Sequence, residues 1–339
     1  MRIFRYWNNI DHKAHGAVIA VGNFDGVHLG HGKVISKAAE IAREEGAALG
    51  VMTFEPHPRE LLSKSNEPFR LTPFRAKTEA IASLGVDIIY VLKFNQDLAN
   101  LEAQDFIKNV LVEGLRAKHI VVGYDFAFGS GRKGEINLLK EKSSTGEFKV
   151  TSVEKAEDEN GPFSASAARQ YIKLGDVKSA QSILGRPWQV LGRIRYGDQI
   201  GRSLGFPTAN LSVKNILKPK SGIYAVWAGI GIKESDQNIK IDWQPGAAYV
   251  GRRPTFDKSE ELLEVHLLDF NYQIYGQLLR VAFISWIRGD EKYENSEDLK
   301  KQMYLDCQHA RAILAESSPP SNTLHDLISI DNTTTRVDQ

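Results

Sequence analysis

The first half of the chain alternates between short apolar runs and longer segments whose apolar residues recur at helical spacing. The apolar runs predict parallel strands at residues 17–22, 48–54, 87–93, 118–123 and 148–153. The amphipathic segments between them predict helices near residues 31–45, 75–84, 102–112 and 134–142. Strands and helices that alternate in this way are typical of a doubly wound parallel sheet, so we expect an α/β, Rossmann-like fold for this half.

The hydrophobic pattern changes in the second half. Two short helices are predicted near residues 166–174 and 176–184, and the segment Leu184–Pro187 then interrupts the helical spacing with a glycine and a proline. From Trp188 onward, short alternating runs are separated by glycine turns, which is typical of a compact antiparallel β-barrel. We therefore expect a domain boundary at residue 187.

The last amphipathic segment runs from Ser296 to Ala315 and predicts a terminal helix after the barrel. The tail from Glu316 is rich in Ser, Pro, Asn and Thr, a composition that predicts disorder. The expected organisation is thus a first domain over 1–187, a second domain over 188–315 and a tail over 316–339.

Charge and cysteine content narrow the class of protein. The 339 residues include 43 basic and 42 acidic side chains, for a net charge of +1. The chain therefore has no excess of positive charge with which to bind nucleic acid or an anionic membrane, so we expect small-molecule ligands. One cysteine excludes an intrachain disulfide and suits a reducing compartment. Because no signal-type or membrane-spanning apolar stretch is present, we expect a cytoplasmic protein, and the sequence leaves its oligomeric state open.

The segment Gly22–His31 joins a predicted buried strand to a predicted helix and places three glycines around two histidines. Glycines let backbone N–H groups approach an anion, and a helix N-terminus adds donors and partial positive charge, so this turn predicts a phosphate site. His28 and His31 are three residues apart and can face one bound group. Two alternatives are histidines that only cap the helix, and a zinc site completed by His57. The single thiol and the lack of paired ligand spacing disfavour zinc.

The second half has its own candidate phosphate segment, from Gly197 to Asn210. It is not a Walker A loop, because the chain's one Gly-Lys pair, at Gly32 and Lys33, is followed by valine. In an extended run Thr208 and Asn210 point to the same side, so a hydroxyl and an amide oxygen can together hold a Mg²⁺ carried by nucleotide phosphates. Ordinary turn chemistry is the alternative interpretation of Pro-Thr-x-Asn.

These motifs together indicate a family. The string Gly-x-Phe-Asp-x-x-His-x-Gly-His at residues 22–31 resembles the signature of the nucleotidylyltransferase superfamily. Motifs of the second half resemble the riboflavin kinase family: Gly205–Asn210, Gly222–Tyr224, Gly251–Phe256, and Leu263–Phe270 followed by Tyr275-Gly276. In this order and spacing, from about residue 15 to 312, they are similar to the bifunctional prokaryotic riboflavin kinase/FMN adenylyltransferase family, also called FAD synthetase.

The resemblance implies two ATP-dependent reactions: phosphorylation of riboflavin to FMN, and adenylylation of FMN to FAD with release of pyrophosphate. Riboflavin, FMN and ATP are then the ligands, Mg²⁺ is the cofactor, and FMN and FAD are the products. For the kinase, the resemblance makes Glu264 the general base and Thr208 and Asn210 the ligands of Mg²⁺ and ATP. Glu264 and His266 share one face of their strand, so an inward Glu264 can meet a ligand in the barrel cleft; the alternative is that Glu264 lies on the solvated side of an alternating strand. Arg288, Asp290 and Glu291 match the segment that borders the flavin, although a charged turn explains them equally well.

For adenylylation the resemblance implies that His28 and His31 hold the ATP phosphates while the FMN phosphate attacks the α-phosphorus. Gly22, Asn23 and Asp125 are expected to line this site. The motif that opens a later helix supplies three further predicted phosphate ligands, Ser164, Ser166 and Arg169. Arg132 and Lys133 can also reach phosphate, or form an exposed basic loop.

One position departs from the family pattern. Where related enzymes carry Ser-Ser-Thr before the conserved helix, this chain has Ser164-Ala165-Ser166. Loss of one hydrogen bond to a charged group costs about 1.5–3 kcal/mol, which slows a step without abolishing it. Two alternatives therefore stay open beside the bifunctional enzyme: a riboflavin kinase with a weak or regulatory first domain, and a non-catalytic flavin or nucleotide sensor.

Overall fold

The computed structural model of the chain describes most of its sequence. The described residues are 1–8, 10–159, 161–196, 201, 204–212, 215–235, 238–253, 260–320, 323–325 and 329–330. They form two compact units. The first unit comprises Met1–Asn66, Lys77–Pro162 and His325–Gln339, and the second comprises Glu67–Ala76 and Phe163–Leu324.

The first unit is built on a seven-stranded sheet whose pairings are all parallel. Its strands are β1 (Arg2–Phe4), β2 (Val18–Val21), β3 (Leu49–Glu55), β4 (Ile88–Lys93), β5 (His119–Gly123), β8 (Lys149–Val153) and β18 (Ser329–Ile330). The order β18-β1-β4-β3-β2-β5-β8 places β2 at the centre, between β3 and β5. All five strands predicted from the apolar runs are present, and β2 is buried throughout because helices cover a parallel sheet on both faces.

Helices connect these strands and supply the rest of the core. The first unit contains α1 (Leu29–Glu44), α2 (Pro58–Leu62), most of α3 (Phe74–Ala82), α4 (Gln96–Asn100), α5 (Ala103–Asp105), a π-helical segment (Phe106–Gly114) and α6 (Ile136–Ser143). Two short hairpins, β6 (Ala127–Phe128) with β7 (Gly134–Glu135) and β9 (Glu157–Asp158) with β10 (Gly161–Pro162), complete it. The predicted helices at 31–45, 75–84, 102–112 and 134–142 thus correspond to observed helical segments.

The second unit is an antiparallel barrel with helices packed against it. Two helices precede the barrel and one follows it: α7 (Ala165–Leu174), α8 (Val177–Leu184) and α9 (Ser296–Ala315). Its strands are β11 (Gln189–Arg193), β12 (Ala209–Ser212), β13 (Gly222–Ser235), β14 (Asn238–Arg253), β15 (Glu260–Leu267) and β16 (Leu278–Arg288). The strand order is β11-β16-β13-β14-β15-β12, and a bridge between Arg195 and Asn210 brings the two ends of the sheet together. The predicted barrel and terminal helix are confirmed.

The core of the second unit joins the barrel to the helices before it. Ile172 and Ala180 of the two helices lie in the same apolar cluster as Leu263 and Val265 of β15. Trp188 is also in this cluster, and its indole N–H donates to the carbonyl of Leu71 at 2.9 Å. The boundary expected at residue 187 therefore falls inside a compact unit, whose second stretch begins at Phe163.

None of the helices within the described ranges combines the length and apolar character needed to cross a membrane. Part of the tail that was predicted to be disordered is described, including β17 (Thr323–His325) and β18.

Candidate active sites

The segment Gly22–His31 forms the connection from β2 to α1, at the carboxyl edge of the parallel sheet. Two non-glycine residues in it have left-handed backbone angles, Phe24 with φ 50° and Val27 with φ 41°. Such angles are unfavourable, above all for a β-branched valine, and persist where the surrounding structure fixes the backbone. The strained backbone therefore supports this connection as a candidate functional site.

His28 and His31 lie together at the start of α1. His28 is the N-cap residue: its Nδ1 accepts a hydrogen bond from the His31 backbone N–H at 3.3 Å. The two imidazole rings are stacked, with centroids 3.6 Å apart. Capping and ligand binding are thus compatible, because the hydrogen bond occupies only the Nδ1 atom of His28. The pair lies at the positive end of a 16-residue helix, where an anion is favoured.

The zinc alternative gains no support from the structure. His57 is the N-cap of α2, where its Nδ1 accepts from the Arg59 backbone N–H at 3.1 Å. Across the described part of the chain, no three His, Cys, Asp or Glu side chains are grouped closely enough to hold a metal ion.

A buried polar network lies beneath the β2–α1 connection. The carbonyl of Asn23 accepts hydrogen bonds from the Thr53 hydroxyl at 3.0 Å and from the Lys77 ammonium at 3.4 Å. Lys77 also donates to the Thr53 hydroxyl at 3.2 Å and forms an ion pair with Glu55 at 2.6 Å. Sequence reasoning missed both Lys77 and Thr53, because neither belongs to the glycine motif.

Three of the residues predicted to line the adenylyltransferase site, Gly22, Asn23 and Asp125, follow the neighbouring strands β2 and β5. Gly22 directly follows β2 and donates its N–H to the Met52 carbonyl at 3.1 Å. The Asn23 side chain is exposed, and so is Asp125, in the turn after the neighbouring strand β5. Arg132 and Lys133 are exposed in a turn between β6 and β7. Carboxyl ends of adjacent parallel strands are where α/β proteins bind their ligands.

Ser164, Ser166 and Arg169 belong to the second unit. Ser164 is the N-cap of α7, and its hydroxyl accepts from the Ala167 N–H at 3.1 Å. Ser166 is exposed in the first turn of the helix. The Arg169 guanidinium donates to the Phe69 carbonyl at 2.8 Å. The phosphate-binding roles of these three residues stay predictions.

Glu264 lies in a row of side chains across the barrel. In β15 it is paired with Asn210 of β12 on one side and with Tyr249 of β14 on the other. Leu263 and Val265 lie in the core, so the predicted alternation along this strand is confirmed. Of the two placements that the sequence left open, the structure shows the outer one: Glu264 lies on the partly exposed face of the sheet, opposite Leu263 and Val265, whose side chains occupy the interior.

Thr208 and Asn210 lie next to Glu264. The Thr208 hydroxyl donates to a carboxylate oxygen of Glu264 at 3.5 Å, and the Asn210 amide nitrogen donates to the Thr208 carbonyl at 3.4 Å. The Oδ1 atom of Asn210 is buried, and no described residue donates a hydrogen bond to it. A buried oxygen without a donor fits a cation ligand, since leaving it unsatisfied has a free-energy cost.

Two neighbours of this row were not identified from the sequence. Arg195 is bridged to Asn210, so its side chain lies on the same face as Asn210 and Glu264. His266 donates from Nδ1 to the Pro207 carbonyl at 2.8 Å, and its ring packs edge-on against Phe206 at a centroid distance of 5.4 Å. His266 thus fixes the chain just before Thr208. Only the strand register brings these residues together.

The predicted flavin-binding segment follows β16. The Arg288 guanidinium binds Asp306 of α9 through two hydrogen bonds, of 2.8 and 2.7 Å, and this contact raises the arginine pKa above its usual value. Glu291 accepts from the Tyr293 hydroxyl at 2.9 Å. Burial, reinforced by this hydrogen bond, raises the pKa of Tyr293 to about 12. Asp290 and Glu291 are exposed, whereas Arg288 is held by α9, which the sequence did not predict.

Some predicted motif residues lie outside the described part of the chain. They are Gly197, Asp198, Gln199, Ile200, Arg202 and Ser203 of the glycine-rich segment, and Pro254, Thr255 and Phe256 of the motif that begins at Gly251.

Comparisons with known proteins match both halves of the chain. The family model for FAD synthetase matches residues 10–167, and the model for riboflavin kinase matches residues 184–314. The bifunctional riboflavin kinase/FMN adenylyltransferase of Escherichia coli K12 is 36% identical over 94% of this chain and 100% of its own length. The chain belongs to the bifunctional riboflavin kinase/FMN adenylyltransferase family. The Gly22–His31 segment lies in its FAD synthetase domain, and Glu264 lies in its riboflavin kinase domain.

Two further relatives extend the comparison. The enzyme of the same name from Bacillus subtilis is 38% identical over 87% of this chain and 91% of its own length. A crystal structure described as a macrolide-efflux protein from Streptococcus pneumoniae superposes with a TM-score of 0.79 and 30% identity, covering 91% of this chain and 98% of that one. Both domains of the family are therefore present in one chain, in the same order as the two predicted sites.

Proposed function

We propose that this chain converts riboflavin to FMN with one ATP and FMN to FAD with a second ATP, releasing pyrophosphate. The observation that carries the proposal is the presence of two separate constellations, the His28–His31 pair on the parallel sheet and the Glu264 row on the barrel. Each lies within the matching family domain. The substrates are small molecules, and the single cysteine is consistent with a cytosolic enzyme.

In the kinase site, Glu264 is the general base for the terminal hydroxyl of the riboflavin side chain. Its carboxylate takes the hydroxyl proton as the oxygen attacks the γ-phosphorus of ATP, and ADP leaves. The Thr208 hydroxyl and the Asn210 Oδ1 are the proposed ligands of Mg²⁺, which neutralises phosphate charge when bound. The Thr208 hydroxyl also donates to Glu264, so this contact holds the proposed base next to the proposed metal ligands.

In the adenylyltransferase site no covalent intermediate on the enzyme is needed. An FMN phosphate oxygen attacks the α-phosphorus of ATP, and pyrophosphate leaves with the bond electrons. His28 and His31 are proposed to donate hydrogen bonds to the phosphates as charge shifts toward the leaving group, aided by the α1 N-terminus. Gly22, Asn23 and Asp125 are proposed to line the nucleotide.

One observation favours a second candidate function. Ala165 lacks the hydroxyl that the family motif usually provides at the start of α7. A riboflavin kinase with a weakened adenylyltransferase domain is therefore the alternative. A pure flavin or nucleotide sensor is less well supported, because sensing requires neither a base at Glu264 nor an adjacent pair of oxygen ligands.

The decisive experiment is to incubate the purified chain with riboflavin, ATP and Mg²⁺ and to resolve FMN from FAD by chromatography over time. The bifunctional proposal predicts FMN first and FAD after it. FMN that accumulates without FAD supports the kinase alternative, and binding of riboflavin or ATP without product supports the sensor. Excess EDTA is expected to abolish both reactions, and Mg²⁺ is expected to restore them. Unchanged activity in EDTA would contradict the proposed metal.

A further inference from the structure

The network beneath the β2–α1 connection contains a lysine that the proposed mechanism does not use. Only 3% of the Lys77 side chain is exposed. A charged side chain this deeply buried is unusual in proteins unless it is paired, because leaving water costs an ion several kcal/mol. Glu55 provides the pairing carboxylate at 2.6 Å. The ion pair explains how Lys77 tolerates burial, but it does not explain why the ammonium also approaches the Asn23 carbonyl.

The carbonyl that Lys77 approaches belongs to the peptide bond between Asn23 and Phe24. Two buried donors, the Thr53 hydroxyl and the Lys77 ammonium, both point to this one oxygen. The carbonyl and the N–H of a trans peptide point in opposite directions, and the peptide between Asn23 and Phe24 is trans; within the described residues, the cis peptide is the one between Glu55 and Pro56. Fixing the Asn23 oxygen toward the interior therefore directs the Phe24 N–H away from Lys77 and Thr53.

The Phe24 amide has the features of a ligand donor. No described residue accepts a hydrogen bond from it. Phe24 itself is held with φ 50°, and its ring is buried, with its centroid 5.0 Å from that of the His31 ring. A strained backbone with a fixed carbonyl on one side and an N–H without a protein acceptor on the other is typical of sites that bind anions through backbone donors.

We propose that Lys77 is a positioning residue of the adenylyltransferase site: together with Thr53 it holds the Asn23 carbonyl inward, so that the Phe24 N–H is presented to the ATP phosphates. This inference rests on the proposed role of the Gly22–His31 segment in binding ATP. Lys77 acts through the backbone and contacts no substrate. Its loss is expected to weaken the stabilisation of charge at the reacting phosphate more than the binding of ATP.

The test compares full-length variants in two assays, FAD formation from supplied FMN and FMN formation from riboflavin. Lys77→Met is expected to lower kcat for FAD formation about 10- to 100-fold, with a smaller change in KM for ATP. Thr53→Val keeps the side-chain shape and the Glu55–Lys77 ion pair but removes the second donor to Asn23 and the oxygen that accepts from Lys77, so it is expected to lower the same kcat. Thr53→Ser keeps the hydroxyl and is the matched control, as is Lys37→Met at an exposed lysine of α1. FMN formation is expected to stay within twofold of the parent in all four.

Adding Glu55→Gln to Lys77→Met distinguishes a role of Lys77 in protein stability from its proposed role in positioning the Asn23 carbonyl. The double variant contains no carboxylate that has lost its Lys77 partner, so its melting temperature is expected to return toward that of the parent while FAD formation stays low. Recovery of FAD formation together with stability would overturn the proposal, as would a parental kcat in Thr53→Val. Because Thr53→Val keeps the ion pair, it decides the question even if Lys77→Met does not fold.

A wrong assignment of the Gly22–His31 segment as the ATP site would give a different experimental result from a wrong role for Lys77. If His28→Ala combined with His31→Ala leaves FAD formation at the parental rate, the Gly22–His31 segment does not bind the reacting ATP. If that variant loses FAD formation while Lys77→Met and Thr53→Val keep it, only the positioning role is wrong.

Discussion

Substitutions at Glu264, or at His28 and His31, are the ones that can distinguish the two reactions. Each lies in a different family domain and in a different compact unit. Substitutions that preserve the fold are therefore expected to affect one reaction at a time.

Glu264→Gln keeps the size and much of the hydrogen bonding of the side chain but removes the base. We expect FMN formation to fall by about 10²- to 10⁴-fold, the range typical of general-base catalysis. FAD formation from supplied FMN is expected to change little. Both rates can be measured by chromatography after a thermal melt has shown that the variant is folded. Equal loss of both activities in a folded variant would contradict the assignment.

His28→Ala combined with His31→Ala is expected to give the reverse result. The variant loses two donors at the positive end of α1 and the cap of that helix, so FAD formation should fall by at least about 100-fold. FMN formation should stay close to the parental rate. The lost cap is expected to cost about 1 kcal/mol of stability, which urea titration can measure. His57→Ala is a matched control, because it removes another N-cap histidine outside the proposed site.

At the scale of elements, the contact between β16 and α9 includes one buried ion pair, between Arg288 and Asp306. Side-chain exposure is 17% for Arg288 and 4% for Asp306, and Gln302 also donates to Asp306 at 3.0 Å. Helix α9 further packs Ala310 and Leu314 against Ala225 and Ile284 of the barrel. The predicted flavin-binding segment begins at Arg288, the last residue of β16. The Arg288–Asp306 ion pair therefore fixes the start of that segment.

Asp306→Asn is expected to destabilise the second unit by about 3 kcal/mol, because it leaves the Arg288 guanidinium partly buried without its counter-charge. The same helix offers a matched control. Arg311 pairs with Asp269 at 2.6 Å, but their side chains are 55% and 73% exposed. Asp269→Asn is therefore expected to change the free energy of unfolding much less than Asp306→Asn does, because solvent screens an exposed pair. Similar urea midpoints for the two variants would show that burial does not distinguish the pairs.

At the scale of the whole molecule, the compact units and the family domains divide the chain differently around residues 163–187. The riboflavin kinase model begins at residue 184, whereas the second compact unit includes α7 and α8. These helices bury Ile172, Val177 and Ile183 in the cluster that also contains barrel residues. A fragment that starts at Arg186 would expose the barrel surface that they cover.

We expect a fragment from Phe163 to Pro320 to form FMN from riboflavin and to melt at a higher temperature than a fragment from Arg186 to Pro320. The reason is the apolar area that α7 and α8 bury, at about 25 cal/mol per Å². Neither fragment should make FAD from FMN, because both lack the Gly22–His31 segment. A folded 163–320 fragment without kinase activity would contradict the proposed division of labour. Equal melting temperatures would show that the helices do not stabilise the barrel.

The sequence by itself determined the order and type of the main elements. Periods of apolar residues reflect local geometry, so the buried run at β2, the helical spacing after Gly30 and the alternation in β15 could each be read without the fold. It also located the two predicted phosphate motifs, because such turns require particular residues within about ten positions of one another.

The tertiary structure decided which distant side chains support these motifs. Lys77 reaches Asn23 across 54 positions, and the His266 imidazole reaches Pro207 across 59. The Arg288–Asp306 pair and the inclusion of α7 and α8 in the barrel core were likewise absent from local patterns. Each of these depends on strand order, strand register and helix packing. Strand order, register and helix packing are set by the burial of apolar surface over the whole chain. A short segment of sequence is therefore not sufficient to predict them.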